Sequence, residues 1–229
     1  MKIIEDAILR GEKTLSEFDS KKVLKAYSIP VTREYIAKSL ADAKRLAQEI
    51  GYPVVLKGSS VLLTHKTELD MVEINITNEK ALEESYQLIE KRGGSSIDGI
   101  LVQEMIKGER EFVAGLIRDP QLGPCVMFGL GGILTEVLQD VTFRVAPLET
   151  EDALEMMNEV KAKKLLDHFR GKQAVNKDIL VNVLKNLGRI GLEIPEIVEI
   201  DINPLIIKDG IPVAVDALVV LKLPEYFKK

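Results

Sequence analysis

Val198-Glu199-Ile200-Asp201-Ile202-Asn203-Pro204-Leu205-Ile206-Ile207-Lys208-Asp209-Gly210-Ile211-Pro212-Val213-Ala214-Val215-Asp216-Ala217 reads as a β-hairpin. Strict alternation puts Val198, Ile200 and Ile202 on one face and Glu199, Asp201 and Asn203 on the other. Asp209-Gly210 is a strong two-residue turn signal, and it pairs Lys208 with Ile211. Counting back from that turn brings Asn203 opposite Asp216. Cross-strand pairs alternate between hydrogen-bonded and non-hydrogen-bonded. Pro212 therefore falls where its missing donor is tolerated, whereas Pro204 falls in a hydrogen-bonded position and perturbs the ladder beside Asn203. If the register survives, the Asn203 and Asp216 Cα atoms lie roughly 4.5–5.5 Å apart. An amide oxygen and a carboxylate side by side, with Asp201 nearby, make a hard-cation site of the kind magnesium uses. A solvated polar face on an edge hairpin is the plainer reading of the hairpin alone. Against it, Glu199, Asp201 and Asp216 would repel one another without a cation.

The 229-residue chain as a whole is ordinary in bulk, with 46% hydrophobic, 29% charged and 5% aromatic residues and a net charge of −5. It is long enough for one large domain or two small lobes. No apolar run approaches the ~20 residues needed to span a bilayer. The start, Met1-Lys2-Ile3-Ile4-Glu5-Asp6, is no signal peptide, so no membrane association is expected. One cysteine, Cys125, excludes an internal disulfide framework and suits a reducing cytoplasm; in Cys125-Val126-Met127-Phe128 it reads as buried filler. Dispersed basic residues and the absence of tryptophan argue against nucleic-acid binding.

Working back from the hairpin, helical spacing covers 150–168 and 175–190, and strands are expected at 100–105, 110–118 and 124–129. Arg92-Gly93-Gly94-Ser95-Ser96 is the most linker-like stretch, and the lobe boundary is placed there. The expected organisation is a helical arm at 1–18, a first lobe at 19–95 and a second at 96–229. In the first lobe, Asp19 and Ser20 cap a helix that stops before Pro30. A strand follows at 34–37, then a helix from Ser39 to Gly51. Strands at 54–57 and 72–76 come next, and Asn78 caps a further helix. Mixed strands and helices in two halves read as α/β (α+β) with a cleft between lobes.

No Walker-type or Rossmann-type glycine fingerprint occurs. Gly129-Leu130-Gly131-Gly132 could bring backbone N–H groups to an anion and is equally a tight turn. Lys57 ends a buried-looking strand, where a phosphate oxygen or solvent could take its charge. Gln103-Glu104-Met105 could offer backbone groups to an adenine edge, and Glu111 could accept from ribose hydroxyls. Arg144 could place a cation over phosphates, though a surface arginine is the default. His168 reads as the basic end of a helix. His65, in the polar loop Leu63-Thr64-His65-Lys66-Thr67-Glu68, is chemically competent as a phosphoryl acceptor, although most loop histidines have no such role.

Taken in order, these segments resemble a known family. Leu24-Lys25-Ala26-Tyr27-Ser28-Ile29-Pro30-Val31, Gly51-Tyr52-Pro53-Val54-Val55-Leu56-Lys57, His65-Lys66-Thr67-Glu68, Gln103-Glu104-Met105, Gly129-Leu130-Gly131-Gly132 and Glu199-Ile200-Asp201-Ile202-Asn203-Pro204 look like the β subunit of ADP-forming acetyl-CoA (acyl-CoA) synthetases. That group belongs to the ATP-grasp and succinyl-CoA synthetase superfamily. The resemblance implies an ATP-grasp fold and an acid–thiol ligase reaction in which acyl-CoA, ADP and phosphate give carboxylate, CoA and ATP. It also implies an α partner carrying the CoA-binding and ligase domains and the primary phosphohistidine, in an α2β2 assembly. By the same resemblance His65 is a second phosphohistidine and Asp201 its acidic support. Asn203 and Asp216 match the ligands of Mg2+ bound with ATP or ADP, Lys57 the phosphate lysine, and Glu104 and Glu111 the nucleotide clamp. This chain has Asp70-Met71 where the family often has two glycines after the histidine stretch, and it is much shorter than succinyl-CoA synthetase β.

Two other readings stand beside this one. A stand-alone ATP-grasp carboxylate ligase would work through acyl phosphate without a partner. A nucleotide-sensing module would bind nucleotide and never take up phosphate.

Overall fold

The hairpin that the sequence announces is present in a computed structural model, which describes residues 1–60, 71–108, 110–132, 140–168 and 171–224. Asp209 and Gly210 have φ of 50° and 80°, the left-handed pair such a turn needs. Strand β8 (Ile197–Lys208) pairs beyond the turn with β9 (Ile211–Ala214), joining Lys208 to Ile211 and Leu205 to Ala214. After a bend, β10 (Ala217–Leu221) resumes on β8 with Ala217 opposite Ile202 and Leu218 opposite Asp201. One count runs through both sections, so the register survives the proline-perturbed stretch. The interruption falls at Asn203-Pro204 and Val215-Asp216, where the Val215 N–H still donates to the Pro204 carbonyl at 3.1 Å. One detail differs. Ile197 is fully buried and Val198 only partly so, because the register shifts between Val220 and Leu221 and turns Ile197 inward.

The chain divides into two units, Met1–Leu15 with Ser20–Val31 and Lys107–Lys229, and Ser16–Asp19 with Thr32–Ile106. In the larger unit β5 (Glu111–Asp119), β6 (Gly123–Leu130) and β7 (Val141–Val145) extend the sheet to six strands, ordered β10-β8-β5-β6-β7 with β9 on β8. β8 therefore lies inside the sheet, and the second arm of the hairpin, β9 and β10, forms its edge. Helices α5 (Thr150–Glu159) and α6 (Lys177–Glu193) cover one face. Asn176 caps α6 through the Ile179 N–H at 3.1 Å. From α6, Leu180, Val183, Leu184, Leu187 and Ile190 pack into one core with Leu116, Val126, Phe128, Ile200 and Val219 of the sheet. Truncating Leu187, which is fully buried, to alanine would cost about 2–5 kcal/mol.

The N-terminal arm is not separate from this core. Helix α1 (Lys2–Leu9) buries Ile4 and Ala7 in it, and the Leu15 N–H donates to the Val219 carbonyl at 3.0 Å. Helix α2 runs Glu17–Ala26, two residues earlier than the Asp19/Ser20 start expected. Ser16 Oγ accepts from the Asp19 N–H at 3.2 Å, while Ser20 is buried and accepts from the Val219 N–H. The expected helix over 150–168 ends at Glu159. The Asp140 carboxylate takes the Lys161 and Ala162 N–H groups at 2.7 and 2.8 Å, and a 3-10 turn, Lys161–Leu166, follows. His168 comes after that turn instead of closing an α-helix.

The smaller unit is a four-stranded sheet ordered β1-β4-β2-β3, from Glu34–Ala37, Gly99–Glu104, Val54–Ser59 and Val72–Ile76. Helices α3 (Leu40–Ile50) and α4 (Glu79–Gly93) pack on it, capped by Ser39 and Asn78 as read from sequence. The boundary expected at 95 and 96 is corrected to 106 and 107. Gly94, with φ of 50°, terminates α4, and β4 then returns between β1 and β2 to complete the sheet. A local glycine cluster reveals a stop in the chain but not which sheet the next strand joins.

Candidate functional site

The acidic side of β8 is the chemically distinctive part of the larger unit. Alternation leaves Glu199 and Asn203 exposed and Asp201 half-buried, while Ile200 and Ile202 are buried on the helix side. Asp201 is pushed up to about 6, first by burial and then by the negative charges of Glu199 and Asp216. Those two influences identify an anionic cluster whose members destabilise one another, and an added cation would relieve them. Across the sheet Asp201 faces Gly115, a position with no side chain to crowd it, where a Cβ would come within 2.6 Å of the Ile200 carbonyl oxygen. Asp216 Oδ1 accepts from the Ala217 N–H at 2.8 Å, which fixes that carboxylate at the bend. Among the described residues no three His, Cys, Asp or Glu side chains form a ready cation cage. An ion here would have to draw ligands from a bound anion and water, as magnesium commonly does.

Register also separates residues that sequence proximity leaves ambiguous. Arg144 pairs with Val126, Val126 with Leu116, and Leu116 with Ile200, so all four side chains share one face. That is the helix-covered face. Arg144 there meets Glu159 of α5 at 2.5 and 3.1 Å and Glu155 at 3.4 Å, contacts that raise its already high pKa. The neighbouring row, Phe143, Met127, Gly115, Asp201 and Leu218, lies on the opposite face. Arg144 is therefore a helix anchor and not a cation beside Asp201. The same opposite face exposes Phe143, Val145 and Ile117, at 46%, 45% and 43%.

Glu111 opens β5 beside the two glycines. The Gly131 N–H donates to the Glu111 carbonyl at 2.8 Å, and a Cβ on Gly131 would come within 2.6 Å of the Phe112 backbone. Gly132 has φ of 75° and brings its Cα side close to Glu111 Oε2. Gly131 is thus required for close approach to β5, and Gly132 for its left-handed backbone. Arg110 was not singled out by sequence. It is buried and ties the Leu165, Asp167 and Gln173 carbonyls, at 3.0, 3.3 and 2.6 Å, against the start of β5. Nothing in the local sequence distinguishes it from a solvated arginine.

In the smaller unit Lys57 lies within β2, not at its end, and is only 5% exposed. Leu56 and Val54 pack with α3 and α4, so Lys57 projects from the other face, where Gln103 and Ser59 are also buried. Its Nζ donates to Glu17 Oε1 at 2.7 Å, with both side chains nearly inaccessible. Breaking such a pair from one side costs about 3–5 kcal/mol, because a buried charge is left uncompensated. Glu104 ends β4 and is held by Arg33, accepting its backbone N–H at 2.8 Å and its guanidinium at 3.3 and 3.4 Å. The Met105 N–H donates to the Pro53 carbonyl at 3.3 Å. His65 lies outside the described residues. Cys125 is buried, and burial raises its thiol pKa, in line with a packing role. No helix among the described residues is long and apolar enough to cross a membrane.

Comparison with known proteins fits this arrangement. The ATP-grasp domain family matches residues 6–221. The chain is 42% identical over 224 residues to the β subunit of ADP-forming acetate–CoA ligase I of Pyrococcus furiosus, covering 96% of each. Among solved structures, it matches dinucleotide-forming acetyl-coenzyme A synthetase 1 of Candidatus Korarchaeum cryptofilum in complex with coenzyme A, Ca-AMPCP and HgCl+. That match has a TM-score of 0.92 and 42% identity, over 96% of this chain and 99% of the other. A second structure of that enzyme holds coenzyme A and Mg-AMPPCP, with its phosphohistidine segment pointing towards the nucleotide binding site. It matches at a TM-score of 0.86 and 40% identity over the same shares, 96% and 99%. The chain belongs to the ATP-grasp family and, within it, to the β subunits of the ADP-forming acetate–CoA ligases.

Proposed function

We propose that this chain is the nucleotide-handling β subunit of an ADP-forming acyl-CoA synthetase, which converts acyl-CoA, ADP and phosphate into carboxylate, CoA and ATP. The single observation that carries the reading is the charge cluster on β8, where burial, Glu199 and Asp216 raise Asp201 to about 6. Such a cluster suits a site that works with a cation and a phosphorylated partner. Asn203 and Asp216 offer hard oxygen donors and would hold Mg2+ with ATP or ADP. Bound there, the ion supplies neutralisation of phosphate charge. Lys57 would donate to phosphate oxygens, Glu104 and Met105 would fix the base, and Glu111 would accept from the ribose hydroxyls. Gly131 and Gly132 would line the nucleotide beside Glu111, packed against the start of β5.

Phosphoryl transfer depends on positioning more than on covalent help from the protein. The exception here is His65, which would accept the phosphoryl group and pass it to ADP while Asp201 orients the imidazole. CoA and acyl chemistry would then belong to an α partner, in an α2β2 assembly in the cytoplasm. The exposed Phe143, Val145 and Ile117 share the Asp201 face and are available to a partner surface. The test is to purify the His65→Ala chain with its α partner. Acyl-CoA-dependent ATP synthesis should be lost while Mg-ADP binding by calorimetry stays within about twofold. Unchanged ATP synthesis would end the relay reading.

A further inference from the structure

We infer that Glu17 is a positioning residue for nucleotide phosphate, acting through Lys57. The inference rests on the proposed phosphate role of Lys57 and adds a residue that the sequence placed in a peripheral arm. Glu17 is 4% exposed, and its Oε1 accepts from Lys57 Nζ at 2.7 Å. It stands in the first turn of α2, whose start is fixed by Ser16 Oγ accepting the Asp19 N–H at 3.2 Å. Negative charge is favoured at that end of a helix.

The chemistry of the pair gives the carboxylate its use. A lysine ammonium sits on a flexible four-carbon stem and carries three donors that rotate together. A carboxylate on a fixed helical turn that accepts from this ammonium restricts how the stem and its donors can move. The ordering of the stem is then part of folding and is not charged to nucleotide binding. On this sheet face Gln103 and Ser59 are buried at 0% and 7% exposure beside the apolar Val55 and Leu101, so polar groups share it with packing residues.

The experiment is a double-mutant cycle on the full-length chain, read by calorimetric titration with Mg-ADP. Lys57→Met should weaken binding about 30-fold and Glu17→Gln about 10-fold, the range for a charged hydrogen bond. In the Lys57→Met background, Glu17→Gln should change affinity by less than about twofold, because its effect passes through the missing ammonium. Glu17→Asp, which keeps charge but shortens the reach, should give an intermediate loss and serves in place of Glu17→Gln if that variant does not fold. Binding that is unchanged or tighter in a folded Glu17 variant overturns the inference, as does an equal loss in both backgrounds. If Lys57→Met itself binds normally, the phosphate role of Lys57 fails as well, and the two failures are told apart by that single variant.

Discussion

Arg144 and Asp201 lie on opposite faces of one sheet, and this assigns them to different tasks. The row Arg144, Val126, Leu116 and Ile200 packs toward the helices, and the adjacent row containing Asp201 points away. A surface guanidinium gripping Glu159 and Glu155 contributes to docking α5, and Asp201 is left with carboxylates around it.

Arg144→Ala should therefore leave Mg-ADP affinity within about twofold while lowering Tm by no more than about 3 °C, as for other exposed ion pairs. Titration calorimetry and thermal melts on the same sample check both. A tenfold loss of affinity would put Arg144 back beside the phosphates.

Asn203→Ala should weaken nucleotide binding about tenfold in magnesium and leave the weak binding measured in chelator unchanged. The register places Asn203 opposite the Asp216 bend, since Leu205 pairs with Ala214 and Ile202 with Ala217. Equal affinities for wild type and variant across a magnesium titration would remove Asn203 from the metal site.

In chelator, stability should fall as pH rises from about 4 to about 6, through Asp201. The unfolded carboxyl releases its proton near 3.8, whereas the folded one keeps it until about 6. Between those values the folded state binds more protons, so the penalty is absent at low pH and complete above about 6. Asp201→Asn should abolish it, gaining on the order of 2–3 kcal/mol at pH 8 and nearly nothing at pH 4. Urea denaturation at the two pH values measures the difference; equal gains at both would contradict the buried anionic cluster.

Gly131→Ala should destabilise the larger unit by about 1–3 kcal/mol, since the new methyl would meet the Phe112 backbone at 2.6 Å and backbone cannot swing aside. Denaturant melts would show a lower midpoint at unchanged slope. A wild-type midpoint would mean that β5 and β6 separate more easily than their pairing implies.

Much of this was legible along the chain wherever the physics is local. Ser39 and Asn78 cap because their short oxygens reach the N–H three residues on, at 3.1 and 3.0 Å. The stop at Val160 was missed because its cause, Asp140, comes from far upstream. The lobe boundary was missed because β4 joins strands already laid down before α4. Arg110 and Glu17 were passed over because burial of a charge depends on what closes over it.

The sequence alone determined the hairpin: Asp209-Gly210 sets the turn, alternation sets the faces, and together they set Asn203 against Asp216 across an interrupted ladder. Only the tertiary structure decided that β8 sits inside a six-stranded sheet, that Arg144 belongs to the helix side, and that Lys57 meets Glu17. Turn geometry and alternation act over neighbouring residues, whose identities are written side by side. Sheet order, facing and charge burial arise when distant segments pack, and those pairings are selected by the whole core.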